Sequence, residues 1–181
     1  DGDASPFDGI WVGEGCGHAL GDVDGDGDLD LVVGHEPAVG EGYGFLNYYE
    51  NVGSAASPSY KEVDGDASPF GVIGGSWPAL ADLDGDGDLD FVLGRGSLLG
   101  GFFGELEELL YYENVGNATS PSYVARTDSA SPFDGIDAWS APTFADLDGD
   151  GDLDFVLGRG SLLGGFFGEL EELLYYENVG N

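Results

Sequence analysis

The chain has 181 residues, 41% of them hydrophobic and 13% aromatic, enough for a packed core. Thirty-six acidic residues stand against four basic ones (Lys61, Arg95, Arg126 and Arg159), a formal charge of −32. Such a surface repels nucleic acid and anionic membranes and attracts metal ions or basic partners. No apolar run approaches the roughly 20 residues of a membrane span, so no membrane insertion is expected. Cys16 is the only cysteine, which excludes a disulfide within the chain. The sequence starts at Asp1 without a signal-peptide pattern and reads as a mature or truncated chain.

Three units follow one another at a period of about 63 residues: 1–63, 64–126 and 127–181. Ser5-Pro6-Phe7 opens the first and recurs as Ser68-Pro69-Phe70 and Ser131-Pro132-Phe133. A tryptophan follows in each, Trp11, Trp77 and Trp139; repeated packing is the plainer reading and sugar stacking on an exposed rim the other. Cys16 and His18 come next, in a Gly-Cys-Gly-His string that reads as a small buried thiol. Neither His18 nor His35 has a partner at metal or triad spacing.

Each unit then carries Asp-x-Asp-Gly-Asp-Gly-Asp-Leu-Asp, beginning at Asp22, Asp82 and Asp146. Five carboxylates in nine residues repel one another unless a cation or water separates them. Calcium takes six to eight oxygen ligands, and alternate positions of a tight loop can aim their oxygens at one centre. Glycines such as Gly25 and Gly27 permit the sharp turn this needs. The spacing therefore predicts three calcium loops, about one Ca2+ per repeat. An EF-hand would place Glu at the twelfth position; Val33, Leu93 and Leu157 stand there instead.

The loop joins two predicted strands. One enters it, as in Pro142-Thr143-Phe144-Ala145, and one leaves it, as in Leu153-Asp154-Phe155-Val156-Leu157, an apolar run suited to burial on both faces. A third strand is Leu109-Leu110-Tyr111-Tyr112, stopped by Asn114-Val115-Gly116, and a fourth is Ser122-Tyr123-Val124-Ala125. Between the second and third, the glycine-rich stretches 94–108 and 158–172 carry Leu-Leu and Phe-Phe pairs. These either cover their own unit's core or form a self-association patch. Residues 81–117 and 145–181 are identical, as recent duplication or engineering would leave them. Asn117-Ala118-Thr119 is a glycosylation sequon on a turn, and Asn181 occupies the same repeat position. The third unit stops before its fourth strand, which leaves an open sheet edge that another strand would fill.

The run from Pro142 through Asp146-Leu147-Asp148-Gly149-Asp150-Gly151-Asp152-Leu153-Asp154 to Gly158, with Leu174-Tyr175-Tyr176-Glu177-Asn178-Val179-Gly180 after it, resembles the FG-GAP/VCBS repeat family, to which calcium-binding repeats of integrin alpha-subunit propellers are related. The resemblance implies an all-β protein of tandem four-stranded antiparallel blades, propeller-like or in a linear array, with calcium in the hairpin joining the first two strands. It implies side-chain ligands Asp22, Asp24, Asp26 and Asp30 in the first loop, Asp82, Asp84, Asp86 and Asp90 in the second, and Asp146, Asp148, Asp150 and Asp154 in the third. Asp28, Asp88 and Asp152 would ligate through the backbone. Three units cannot close a ring of four to eight blades.

Three near-identical units and aspartates built to stay ionised argue against one asymmetric active site, so no enzyme is expected. The expectation is a calcium-stabilised structural or adhesion repeat protein, extracellular or at the cell surface, where calcium is millimolar. Its partners would be other copies of itself or other surface proteins, with assembly into a fibre through open sheet edges. The alternative is a glycan-binding propeller fragment or an accessory module of a secreted enzyme.

Overall fold

A computed structural model of the chain describes residues 5–12, 17–35, 45–70, 77–95, 108–136, 142–159 and 172–180. Over these residues it is all-β, with three antiparallel sheets. The first holds β1 (Gly17–Gly21), β2 (Asp30–His35), β3 (Phe45–Asn51) and β4 (Tyr60–Val63), in that spatial order. The second repeats the pattern with β5 (Trp77–Ala81), β6 (Asp90–Arg95), β7 (Glu108–Asn114) and β8 (Tyr123–Arg126). The third has β9 (Thr143–Ala145), β10 (Asp154–Arg159) and β11 (Glu172–Tyr176), with β10 in the middle. Short 3-10 turns at Gly65–Ala67 and Asp128–Ala130 lead into the Ser-Pro-Phe motifs.

The expected strands form with small shifts. The entering strand begins at Thr143 rather than Pro142, whereas the equivalent Pro78 lies inside β5. The third strand extends on both sides, to Glu108–Asn114. Each acidic string becomes a hairpin connection: Gly21 pairs with Asp30, Ala81 with Asp90 and Ala145 with Asp154, so the loop's last aspartate already lies in a strand. The glycine-rich stretches between the second and third strands fall, over 96–107 and 160–171, outside the described residues.

The sheets pack face to face, and β6, between the other two, is apolar on both sides for this reason. Alternate residues of a strand point to opposite faces. In β2, Val32 enters a core with Phe91 and Leu93 of β6, while Leu31 and Val33 join Tyr49 on the far face. In β6, Val92 turns the other way, into a core with Tyr111 and with Leu157 of β10.

The Ser-Pro-Phe phenylalanines plug the seams. Phe70 lies between the first two sheets, its ring 5.8 Å from Tyr48, 4.9 Å from Phe91 and 5.1 Å from Tyr123. Phe133 repeats this between the second and third, 5.8 Å from Tyr111 and 5.2 Å from Phe155. Phe70 and Phe133 are 2% and 4% exposed. Phe7, stacked on Tyr60 of its own sheet, is 44% exposed, with no earlier sheet among the described residues to cover it.

Candidate metal centre

Each loop is shaped by its own carboxylates. In the first, Asp24 Oδ1 accepts the Asp26 N–H at 3.2 Å, Asp26 Oδ1 accepts the Asp28 N–H at 3.1 Å and Asp22 Oδ2 accepts the Gly27 N–H at 3.1 Å. The second loop repeats these bonds with Asp84, Asp86 and Asp82, the third with Asp148, Asp150 and Asp146. Short side chains that accept from the backbone two residues on are what aspartate supplies in turns. These bonds wind the chain so that alternate side chains converge.

The convergence is measurable. Carboxylate oxygens of Asp22, Asp24 and Asp26 lie within 4.8 Å of one another, as do those of Asp82, Asp84 and Asp86, and those of Asp146, Asp148 and Asp150. Two oxygens bound to one calcium at about 2.4 Å sit at most about 4.8 Å apart. The remaining two aspartates of each loop are not in these sets.

Burial supplies the test of whether a cation fits. Asp22 Oδ1, Asp28 Oδ1 and Asp88 Oδ1 are shielded from water and have no hydrogen-bond partner. Asp88 as a residue is 7% exposed. A buried carboxylate oxygen facing other carboxylates without a donor is costly unless a cation compensates it. Without one, desolvation pushes the Asp24 carboxyl above its ordinary value, reinforced by the charge of Asp30. Asp28, Asp84 and Asp88 are raised as well, by desolvation first and their neighbours' charges next. The residues fit a hard divalent ion. Asp28 and Asp88, expected to contribute through the backbone, each also carry one of these buried, partnerless oxygens.

Asp30, Asp90 and Asp154 stand apart from the triplets. Asp30 is 1% exposed, and its carboxylate accepts from the Val23 N–H at 3.1 Å, the Tyr48 hydroxyl at 2.9 Å and the Asn51 N–H at 2.8 Å. Asp90 receives the same three from Leu83, Tyr111 and Asn114, and Asp154 from Leu147, Tyr175 and Asn178. Burial raises the pKa of Asp30 and Asp90 against these donors. At Asp154 the Asn178 N–H outweighs desolvation and the pKa falls: the carboxylate is itself covered, but less protein surrounds it.

Tyrosine and asparagine of the Tyr-Tyr-Glu-Asn-Val-Gly string are therefore the residues that tie the loop to the third strand. From the sequence alone the string reads as a strand end and turn, and its recurrence behind every acidic loop is the signal of this further role. The asparagine does further work: Asn51 Oδ1 accepts from Gly53 N–H and Ser59 N–H, which closes the turn into β4, and Asn114 does the same with Gly116 and Ser122. Tyr60 and Tyr123 then reach back, their hydroxyls donating to the carbonyls of Leu29 and Leu89 at 3.1 Å.

The other candidates are placed as follows. Asn117 is exposed on its turn, and its Oδ1 accepts from both the N–H and the hydroxyl of Thr119. Asn181, Cys16 and Trp139 lie outside the described residues. His18 is exposed in β1. His35 is buried and its ring stacks on those of Trp11 and Phe45, with burial lowering its pKa. Trp11 is 63% exposed, and Trp77 is partly buried at the start of β5. Among the described residues no helix is long and apolar enough to cross a membrane.

Residues 22–93, from the first aspartate of the first loop to the middle of β6, match the model of a family described as FG-GAP-like repeat. Neither the curated proteins nor the solved structures contain a match to the chain.

Proposed function

With residues 22–93 as FG-GAP-like repeat sequence, we propose that this protein is a calcium-stabilised structural or adhesion repeat protein that works outside the cell and catalyses no reaction. The observation that carries the reading is the set of buried, partnerless oxygens on Asp22, Asp28 and Asp88 beside the converging carboxylates. The Asp22, Asp24 and Asp26 carboxylates would hold the ion in the first loop, with Asp28 beside them. The matching residues serve the second and third. A bound cation supplies the positive charge that offsets their repulsion. Since the unfolded chain has no such site, that binding energy adds to folding energy. Loops of the weaker extracellular class bind at about 10⁻⁴–10⁻³ M, which suits millimolar external calcium.

As part of this reading the protein self-associates, with Leu173 and Tyr175 of β11 exposed to a partner. Outside the cell, Asn117 would also be a glycan acceptor. A second reading, a glycan-binding propeller fragment, is favoured by Trp11, whose exposed indole lies 4.8 Å from His35 and 6.3 Å from Phe45.

Electron microscopy of the purified protein with and without 1 mM calcium tests the assembly reading, where roughly millimolar affinity is expected. Calcium-dependent filaments support it, and monodisperse particles in both conditions contradict it. Binding on a glycan array that is lost in Trp11→Ala would favour the second reading.

A further inference from the structure

The three acidic loops share one pattern of aspartates and glycines but differ at the tip, where the first meets the second repeat. In the second loop the Gly85 N–H donates to Asp82 Oδ1 at 2.9 Å, and in the third the Gly149 N–H donates to Asp146 Oδ1 at 2.7 Å. In the first, the matching Asp22 Oδ1 is buried and accepts nothing. The tip glycines share a left-handed backbone, with φ of +71° at Gly25, +77° at Gly85 and +85° at Gly149. Their surroundings differ. A Cβ on Gly25 would lie 2.7 Å from the Ala118 carbonyl oxygen and 2.9 Å from Thr119 Cγ2, whereas Gly85 and Gly149 have nothing within 4 Å. The seam continues at Gly21, where a Cβ would lie 2.9 Å from both Leu80 Cδ1 and Leu89 Cδ1.

We propose that the 117–120 turn of the second repeat is a seat for the first acidic loop, holding its tip so that Asp22 Oδ1 stays open to a cation, and that loading this loop tightens the seam between the first two sheets. The inference rests on the cation reading above and adds to it. The ion acts between repeats as well as within one, and nominally equal loops become unequal. In the other two loops an N–H occupies the oxygen that the first loop leaves open, so the first binds more tightly. Coupling of this kind is reciprocal: if the seat favours the loaded loop, loading must favour the seated turn.

Amide hydrogen exchange on the whole chain reads the turn directly, because the Ser120 N–H closes it on the Asn117 carbonyl at 3.0 Å. At calcium about ten times its dissociation constant, exchange at 117–120 should slow about tenfold. Asp24→Asn with Asp26→Asn should abolish this slowing. Asp148→Asn with Asp150→Asn should leave it in place while removing protection from its own loop. Slowing within the loops without slowing at 117–120, or a turn that responds equally to both double variants, overturns the seat and leaves the cation reading standing. No change in any loop overturns both. A second comparison avoids touching the carboxylates: Gly25→Ala should weaken calcium-dependent protection of 22–30 by more than Gly85→Ala weakens that of 82–90. Equal losses overturn the proposal.

Discussion

The Tyr48 hydroxyl donates to Asp30 Oδ2 at 2.9 Å, across 18 residues of sequence and inside the protein. The bond joins the last aspartate of the first acidic loop to the middle of β3. Tyr111 makes the same bond to Asp90 at 3.0 Å. Each carboxylate keeps its charge satisfied by three donors, so the loop enters its second strand from a fixed point. The tyrosines register the arrangement, their own pKa values rising through burial and the adjacent carboxylate.

Removing either hydroxyl should therefore be expensive. Tyr48→Phe and Tyr111→Phe are each expected to cost about 1–3 kcal/mol, since a buried charged acceptor loses a donor while the ring is kept. Urea denaturation measures the loss. Tyr175→Phe should cost less, because its bond to Asp154 is only partly buried.

The seam phenylalanines make an internal comparison. Phe70→Ala and Phe133→Ala empty a space between sheets and should each cost about 3–5 kcal/mol. Phe7→Ala removes a ring that is 44% exposed, and its effect should be a small fraction of that. Thermal melts of the three variants under one condition decide the ranking.

The acidic loops set a pH dependence whose sign follows from their shifts. In metal-free protein Asp24, Asp28, Asp30, Asp84, Asp88 and Asp90 have carboxyls raised above the unfolded value. The folded state then holds protons more tightly than the unfolded one, and stability is lost as pH rises from the ordinary carboxylate value through the raised ones. Asp154, lowered, works the other way: its contribution is present above the ordinary value and is lost as pH falls through its depressed pKa. The six raised groups outnumber it. The melting temperature of metal-free protein should fall as pH goes from about 4 to about 6. The increment that calcium adds should grow over the same range, because protons stop competing for the ligands. Melting curves at stepped pH, with and without calcium, measure both trends.

Much of this was legible in the sequence because each feature is written three times. A string of alternating aspartates and glycines between two apolar runs reads as a hairpin tip, and the sheets form around it. The unbroken Leu31-Val32-Val33 announces burial on two faces. It does not say that Val32 turns to the second sheet and Leu31 away from it, since both faces are equally apolar. The five aspartates of a loop also look alike as letters. Asp30 differs from Asp24 because β2 has begun at Asp30, and the strand's pleat carries its carboxylate beneath Tyr48. The contact between Gly25 and Ala118 joins residues from different repeats, and no local pattern encodes it.

Calcium in the acidic loops is the central claim, and anomalous diffraction from crystals grown in millimolar calcium tests it most directly. The account predicts a peak in each loop, with oxygens of Asp22, Asp24 and Asp26, and of their counterparts, at about 2.3–2.6 Å. Loops that hold water and no peak at that concentration would contradict it.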